Sequence, residues 1–265
     1  MTPPRWIETG RGAHGVVFLH GVSGGALGAS DLLPRITPPG WRGLAWDMPG
    51  YGASAPLEPF DFDGLAAALV ALLDAAGLDQ AVLVGHSMGG MVALQTAAAF
   101  PNRVSGLVLA CSTPAFGARD GAQQQAFLAR RIGPLDEGAS MRELAVELIP
   151  TMVGPGGDPQ VVRDAVDLMA AIPPASYRSA MHALTCFDQR AALGALTMPA
   201  LVVAGTHDGV SQPAVLRHMA ERIPAARYLE LDAGHLAPFE EPEAFAGAVR
   251  EFLGGLDRAP VTFVL

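Results

Sequence analysis

Short apolar runs alternate along this chain with longer stretches of helical periodicity, and that alternation leaves few architectures open. Val16-Val-Phe-Leu19, Gly43-Leu-Ala-Trp46, Ala81-Val-Leu-Val84, Val104 to Ala110, Ala200-Leu-Val-Val-Ala204 and Arg227 to Leu231 read as strands. Phe62 to Ala76, Met88 to Phe100, Pro213 to Ile223 and Pro242 to Leu253 read as helices, the second stopped by Pro101. Near-continuous apolar strands separated by helices belong in a mostly parallel sheet covered on both faces, an α/β fold. At 265 residues the chain has room for one such domain with an insertion.

Between Cys111 and Pro199 the rhythm changes. Four helical patterns, at 119–132, 140–153, 159–171 and 174–186, follow one another with no apolar strand between them. Ser140-Met-Arg-Glu143 fits a capping box, and Asp158-Pro159 places a capping acid before a first-turn proline. A helical insertion between two strands is expected to lie as a cap over the sheet's carboxyl edge, where open α/β sheets bind ligands. The expected organisation is a core of residues 1–113 and 191–265 with a helical cap at 114–190.

Composition removes several function classes. The formal charge is −9 and there is no basic run, which disfavours a nucleic acid partner. All 17 basic residues are Arg. Without a lysine, Schiff-base chemistry, pyridoxal phosphate attachment, Ser-Lys catalysis and the P-loop are excluded. No apolar run approaches the roughly 18 residues of a membrane span, and the first ten residues lack the apolar core of a signal peptide, so a cytoplasmic protein acting on a small molecule is expected. Cys111 and Cys186 have neither disulfide-framework nor zinc spacing. Gly10-Arg-Gly12-Ala-His-Gly15 is formally G-x-G-x-x-G, but it precedes a strand and opens no helix, so it reads as a turn.

Two segments match G-x-S-x-G: Gly85-His86-Ser87-Met88-Gly89 and Gly21-Val22-Ser23-Gly24-Gly25. A nucleophile elbow needs a strand running into the serine and a helix leaving it at once. Ser87 follows Ala81 to Val84 and opens the helix from Met88. Ser23 runs on into further glycines, which leaves it as a pocket residue and not the nucleophile. The Gly21 to Gly25 segment fits the other half of an oxyanion hole, with Val22 N–H and Met88 N–H as donors and His20 as a structural residue holding the loop.

With such an elbow the chain order is Ser, then Asp or Glu, then His. His235, in Asp232-Ala-Gly-His-Leu236, follows the final strand and precedes the last helix, which makes it the expected base. Asp208, in Gly205-Thr-His-Asp-Gly209 at the end of the preceding strand, is the expected acid, and Asp232 its competitor. After the strand ending at Ala110, Cys111-Ser112-Thr113 offers no carboxylate. Phe116, Phe127, Met152, Met181 and Phe187 are candidate pocket lining, with core packing as the alternative for each. Arg130, Arg131 and Arg190 could anchor a substrate carboxylate bidentately, with a solvated surface role as the alternative.

These segments, with Trp46-Asp-Met-Pro-Gly-Tyr-Gly52 and with Glu240 and Pro242 behind His235, make the chain resemble the α/β-hydrolase superfamily over nearly its whole length. The resemblance is strongest to the branch of 3-oxoadipate enol-lactonases, with the meta-cleavage product hydrolases sharing the same elbow and cap. It implies opening of an ester or lactone through an acyl-enzyme, or alternatively C–C hydrolysis of vinylogous diketones, with no metal or organic cofactor. A ligand carrier on the same scaffold is the third reading.

Overall fold

The structure is a computed structural model describing residues 2–117 and 121–256. Seven strands form one sheet: β1 (Trp6–Gly10), β2 (His14–Leu19), β3 (Trp41–Trp46), β4 (Ala81–His86), β5 (Val104–Ala110), β6 (Ala200–Gly205) and β7 (Ala226–Leu231). Their order is β1-β3-β2-β4-β5-β6-β7, with β1 antiparallel to β3 and every other pair parallel. The six apolar runs are the six parallel strands. The edge strand β1 escapes the sequence pattern because Trp6-Ile-Glu-Thr-Gly is half-exposed and lacks a continuous apolar face.

The strands β2 to β6 are almost wholly buried on both sides, so successive residues serve different cores. Leu83 packs with α2 (Phe62–Ala76), α3 (Met88–Ala99) and α8 (Pro213–Arg222), whereas Val82 and Val84 pack with α1 (Leu32–Ile36) and α10 (Pro242–Leu256). The bounds of α2 follow from its ends. The Asp61 carboxylate accepts the Gly64 N–H at 2.7 Å, and Gly77 closes the helix at φ +68°, where a side chain is unfavourable.

Between β5 and β6 stand α4 (Ala122–Asp136), α5 (Met141–Leu148), α6 (Pro159–Ala170) and α7 (Pro174–Cys186). The sequence-expected capping box is present: Ser140 Oγ accepts the Glu143 N–H while Glu143 accepts the Ser140 N–H. Two expected ends differ. Helix α4 continues through Gly133-Pro134 to Asp136, because a helix can tolerate one proline by forgoing a single backbone bond; expected helical positions 119 and 120 lie outside the described residues. The pattern at 140–153 closes early, as α5 followed by a 3₁₀ turn at Ile149–Thr151. The insertion is tied at its root, where Phe116 N–H donates to Phe187 O at 2.9 Å and Gln189 N–H to Pro114 O at 2.7 Å. Among the described residues no helix is long and apolar enough to cross a membrane.

Candidate active site

Parallel strands end on one edge, so residues that follow β2, β4, β6 and β7 converge there whatever their separation in sequence. Ser87 leaves β4 at φ 54°, ψ −120°, a strained conformation for a residue with a side chain. The neighbouring structure holds it: Ser87 N–H donates to Ala110 O at 2.9 Å, and its own carbonyl accepts the Gly90 N–H at 2.9 Å. Gly89 is required because a Cβ there would collide with the Leu19 carbonyl oxygen.

Three side chains form one hydrogen-bonded line. Ser87 Oγ lies 2.9 Å from His235 Nε2, and His235 Nδ1 lies 2.8 Å from Asp208 Oδ2. The other Asp208 oxygen accepts the N–H groups of Val210 and Ser211 at 2.7 and 2.8 Å. The imidazole takes the second oxygen, so both oxygens of the carboxylate are engaged. Asp232, the competing acid, is exposed and holds His207 instead, at 2.8 Å.

Supporting groups fix the histidine from three sides. The His235 N–H donates to Met152 O in the insertion at 2.6 Å, and His235 O accepts from His86 Nε2 at 2.7 Å. Burial, and then the neighbouring His235, push the His86 pKa down to about 3, so its ring is a neutral donor. The Glu240 carboxylate, on the short helix α9 (Ala237–Glu240), accepts the N–H groups of Gly234 and Leu236 on either side of His235 and of Gly154 in the insertion. The sequence pattern flagged Glu240 without revealing this clamp.

The loop after β2 is organised by His20. Its Nε2 accepts the Met48 N–H at 3.1 Å, so Nδ1 carries the proton and donates to Gly21 O at 2.7 Å. In a trans peptide the carbonyl and the following N–H point oppositely, so this grip on Gly21 O sets the direction of Val22 N–H. Neither Val22 N–H nor Met88 N–H donates to an acceptor among the described residues. Desolvation lowers the His20 pKa, which keeps the ring neutral in this role.

Ser87 and His235 open on a cavity of about 330 Å³. Of the expected lining, Val22, Ser23, Phe116, Phe127, Met152, Met181, Arg130 and Arg131 reach it. Phe187 and Arg190 do not. Phe187 is buried against Phe62, their rings 4.4 Å apart, and Arg190 pairs with Asp188 at 2.7 Å on the surface. Met91, Met169 and Tyr177 also line the cavity and were not singled out from sequence, since helical periodicity marks them only as buried; Ser211, in the loop after β6, lines it too. Cys111 Sγ, Asp208 and His235 bring donor atoms within 4.8 Å of one another. Burial raises the Cys111 thiol pKa strongly, so the sulfur stays protonated and is a poor metal ligand.

A sequence profile of the alpha/beta hydrolase family matches residues 16–248. The chain belongs to this family. Relatives in the family include a pimeloyl-[acyl-carrier protein] methyl ester esterase of Neisseria meningitidis serogroup C, 30% identical over 91% of this chain and 94% of that one. A 3-oxoadipate enol-lactonase 2 of Acinetobacter baylyi is 31% identical over 78% of this chain and 76% of the relative. Among solved structures, the enol-lactonase from Burkholderia xenovorans LB400 superposes with a TM-score of 0.85 at 26% identity, covering 94% of this chain and 96% of that one. The protein is thus an α/β-hydrolase family enzyme with a seven-stranded, mostly parallel sheet.

Proposed function

We propose that this α/β-hydrolase opens a small carboxylic ester or lactone through an acyl-enzyme on Ser87. The observation carrying this reading is the Ser87–His235–Asp208 line, with both hydrogen bonds at 2.8 to 2.9 Å and with Ser87 and His235 lining a cavity of about 330 Å³. His235 Nε2 takes the hydroxyl proton as Ser87 Oγ attacks the carbonyl carbon. Asp208 holds the Nδ1–H tautomer and stabilises the imidazolium that forms. The developing oxyanion sits against the amides of Val22 and Met88, two preorganised donors without a competing acceptor among the described residues. Collapse expels the alkoxide, which takes the proton from His235. Water then enters, His235 takes its proton, and the acid is released as Ser87 regains its hydrogen.

The named relatives support an ester or enol-lactone substrate over other hydrolase chemistries. The purified protein should hydrolyse p-nitrophenyl esters and react covalently with a fluorophosphonate. Ser87→Ala should lose both while melting like the wild type, and Ser23→Ala should keep the label. A Ser87→Ala protein that still labels, or a wild type inert to every ester and lactone offered, would refute the proposal.

A further inference from the structure

The triad cavity has a neighbour. A second cavity of about 230 Å³ lies between the loop after β2, α1, α6 and the segment that carries α9. Gly21, Ser23 and His86 line both, so the two chambers meet at the segment that holds Val22 N–H. Attack by Ser87 and relay by His235 leave the second chamber without a task.

Its walls are chiefly apolar. Leu32 comes from α1, Val161, Ala165 and Leu168 from α6, and Phe239 from α9. Its charged groups disfavour an anion: Asp31 and Asp164 are exposed carboxylates at its rim, and the Arg35 guanidinium is already paired with Glu243. His20 and His86 also line it, and burial holds both rings in the neutral form. One hydroxyl is unspent. Ser23 Oγ has no hydrogen-bond partner among the described residues, and Ser23 stands where the chambers meet. An apolar chamber with one hydrogen-bonding group at its boundary suits a neutral molecule with a single polar atom. An ester extends in two directions from the carbonyl carbon that Ser87 attacks, and two chambers meeting beside an oxyanion donor match its two parts.

We propose that the second cavity seats the alkoxy part of the substrate and, once that part has left, an aliphatic alcohol that takes the acyl group in place of water. The enzyme is then an acyltransferase to neutral alcohols as well as a hydrolase. In the transfer step the alcohol oxygen, accepting a hydrogen bond from Ser23 Oγ, attacks the acyl carbonyl carbon while His235 Nε2 takes its proton. The bond to Ser87 Oγ breaks, Oγ recovers the proton from His235, and an ester departs where hydrolysis would release an acid. This rests on the reading that Ser87 forms an acyl-enzyme. It adds an acceptor site that hydrolysis alone does not need.

The test supplies p-nitrophenyl butyrate with methanol, 1-butanol or 1-hexanol and measures butyric acid and alkyl butyrate in the same mixture by gas chromatography. The ratio of ester to acid should saturate with alcohol concentration, and the half-saturating concentration should fall by roughly threefold to fourfold for each added methylene. Ala165→Phe and Leu168→Trp both fill the cavity from α6, so one remains informative if the other fails to fold. Each should cut the ratio by roughly tenfold or more for 1-hexanol and leave it within about twofold for methanol, which needs little room. A general loss of stability would not discriminate between alcohols in this way. Ser23→Ala should lower the ratio by about twofold to tenfold for every alcohol, the loss of one hydrogen bond. Arg142→Gln, a surface change on α5, should leave it unchanged. Ester formation that rises linearly with alcohol concentration and ignores chain length would overturn the alcohol seat, as would acid alone with every alcohol. In both cases the measured hydrolysis leaves the acyl-enzyme reading standing. Neither acid nor ester, with no fluorophosphonate label, would refute that reading and this proposal with it. A preference for 1-hexanol persisting in the folded α6 variants would overturn the assignment to this cavity.

Discussion

Replacing Glu240 with Ala would release the joint between the insertion and the histidine loop. Its carboxylate takes the Gly154 N–H at 2.7 Å, the Leu236 N–H at 3.0 Å and the Gly234 N–H shared between both oxygens at 3.0 and 3.1 Å. A hydrogen bond to a charged group contributes roughly 1.5–3 kcal/mol, so three together imply at least about 4.5 kcal/mol. Glu240 is only half-buried, and water can enter beside the new methyl group and satisfy part of the site. A loss of about 3 kcal/mol is therefore expected, equivalent to about 6–12 °C in melting temperature for a chain near this size. Because Gly234 and Leu236 flank His235, the imidazole should also lose its fixed place over Ser87. Misplacement by about 1 Å can cost about a hundredfold, so kcat should fall by roughly tenfold to a hundredfold. Glu240→Gln should fall between, since its amide oxygen accepts while its NH₂ opposes one of the three donors. Differential scanning fluorimetry and steady-state ester hydrolysis on both variants read these effects. A Glu240→Ala protein melting within about 2 °C of wild type with unchanged kcat would refute the clamp.

Asp208→Asn should bind substrate normally and lose about 10⁴ in kcat, because an amide cannot stabilise the imidazolium. Asp232→Asn, whose carboxylate meets only His207, should stay within about tenfold of wild type; steady-state kinetics that reverse this ranking would exchange the two roles. Stability should fall as pH drops below about 6.5, because His86 takes a proton in the unfolded chain but resists it in the fold down to about pH 3. Each pH unit in that window should cost up to about 1.4 kcal/mol, and urea titrations of His86→Gln should show a shallower pH slope than wild type. Activity should be unaffected by prior dialysis against EDTA, and loss that zinc restores would assign a metal role to the Cys111–Asp208–His235 group.

Local physics made much of this molecule legible from sequence. A buried parallel strand needs a largely apolar run and a helix shows its own periodicity, so β2 to β6, β7 with its two charged positions, and the span of α2 could be read directly. Ser87 was separable from Ser23 for the same reason, since an elbow must pass from strand to helix without interruption. The tertiary structure decided what depends on elements meeting. Asp232 lies beside His235 in sequence and Asp208 lies 27 residues before it, and only the path of the loops beyond β6 and β7 sends the distant one to the imidazole and the near one to His207. Phe187 and Phe127 both lie in the insertion, yet one is packed into the core and the other faces the cavity. Tyr177 and Arg131 sit 46 residues apart on separate helices, and no periodicity within either helix encodes that they share a wall. Sequence patterning determines which residues are buried; the crossing of distant elements determines which buried residues face one another, and here that is where the chemistry of the site is set.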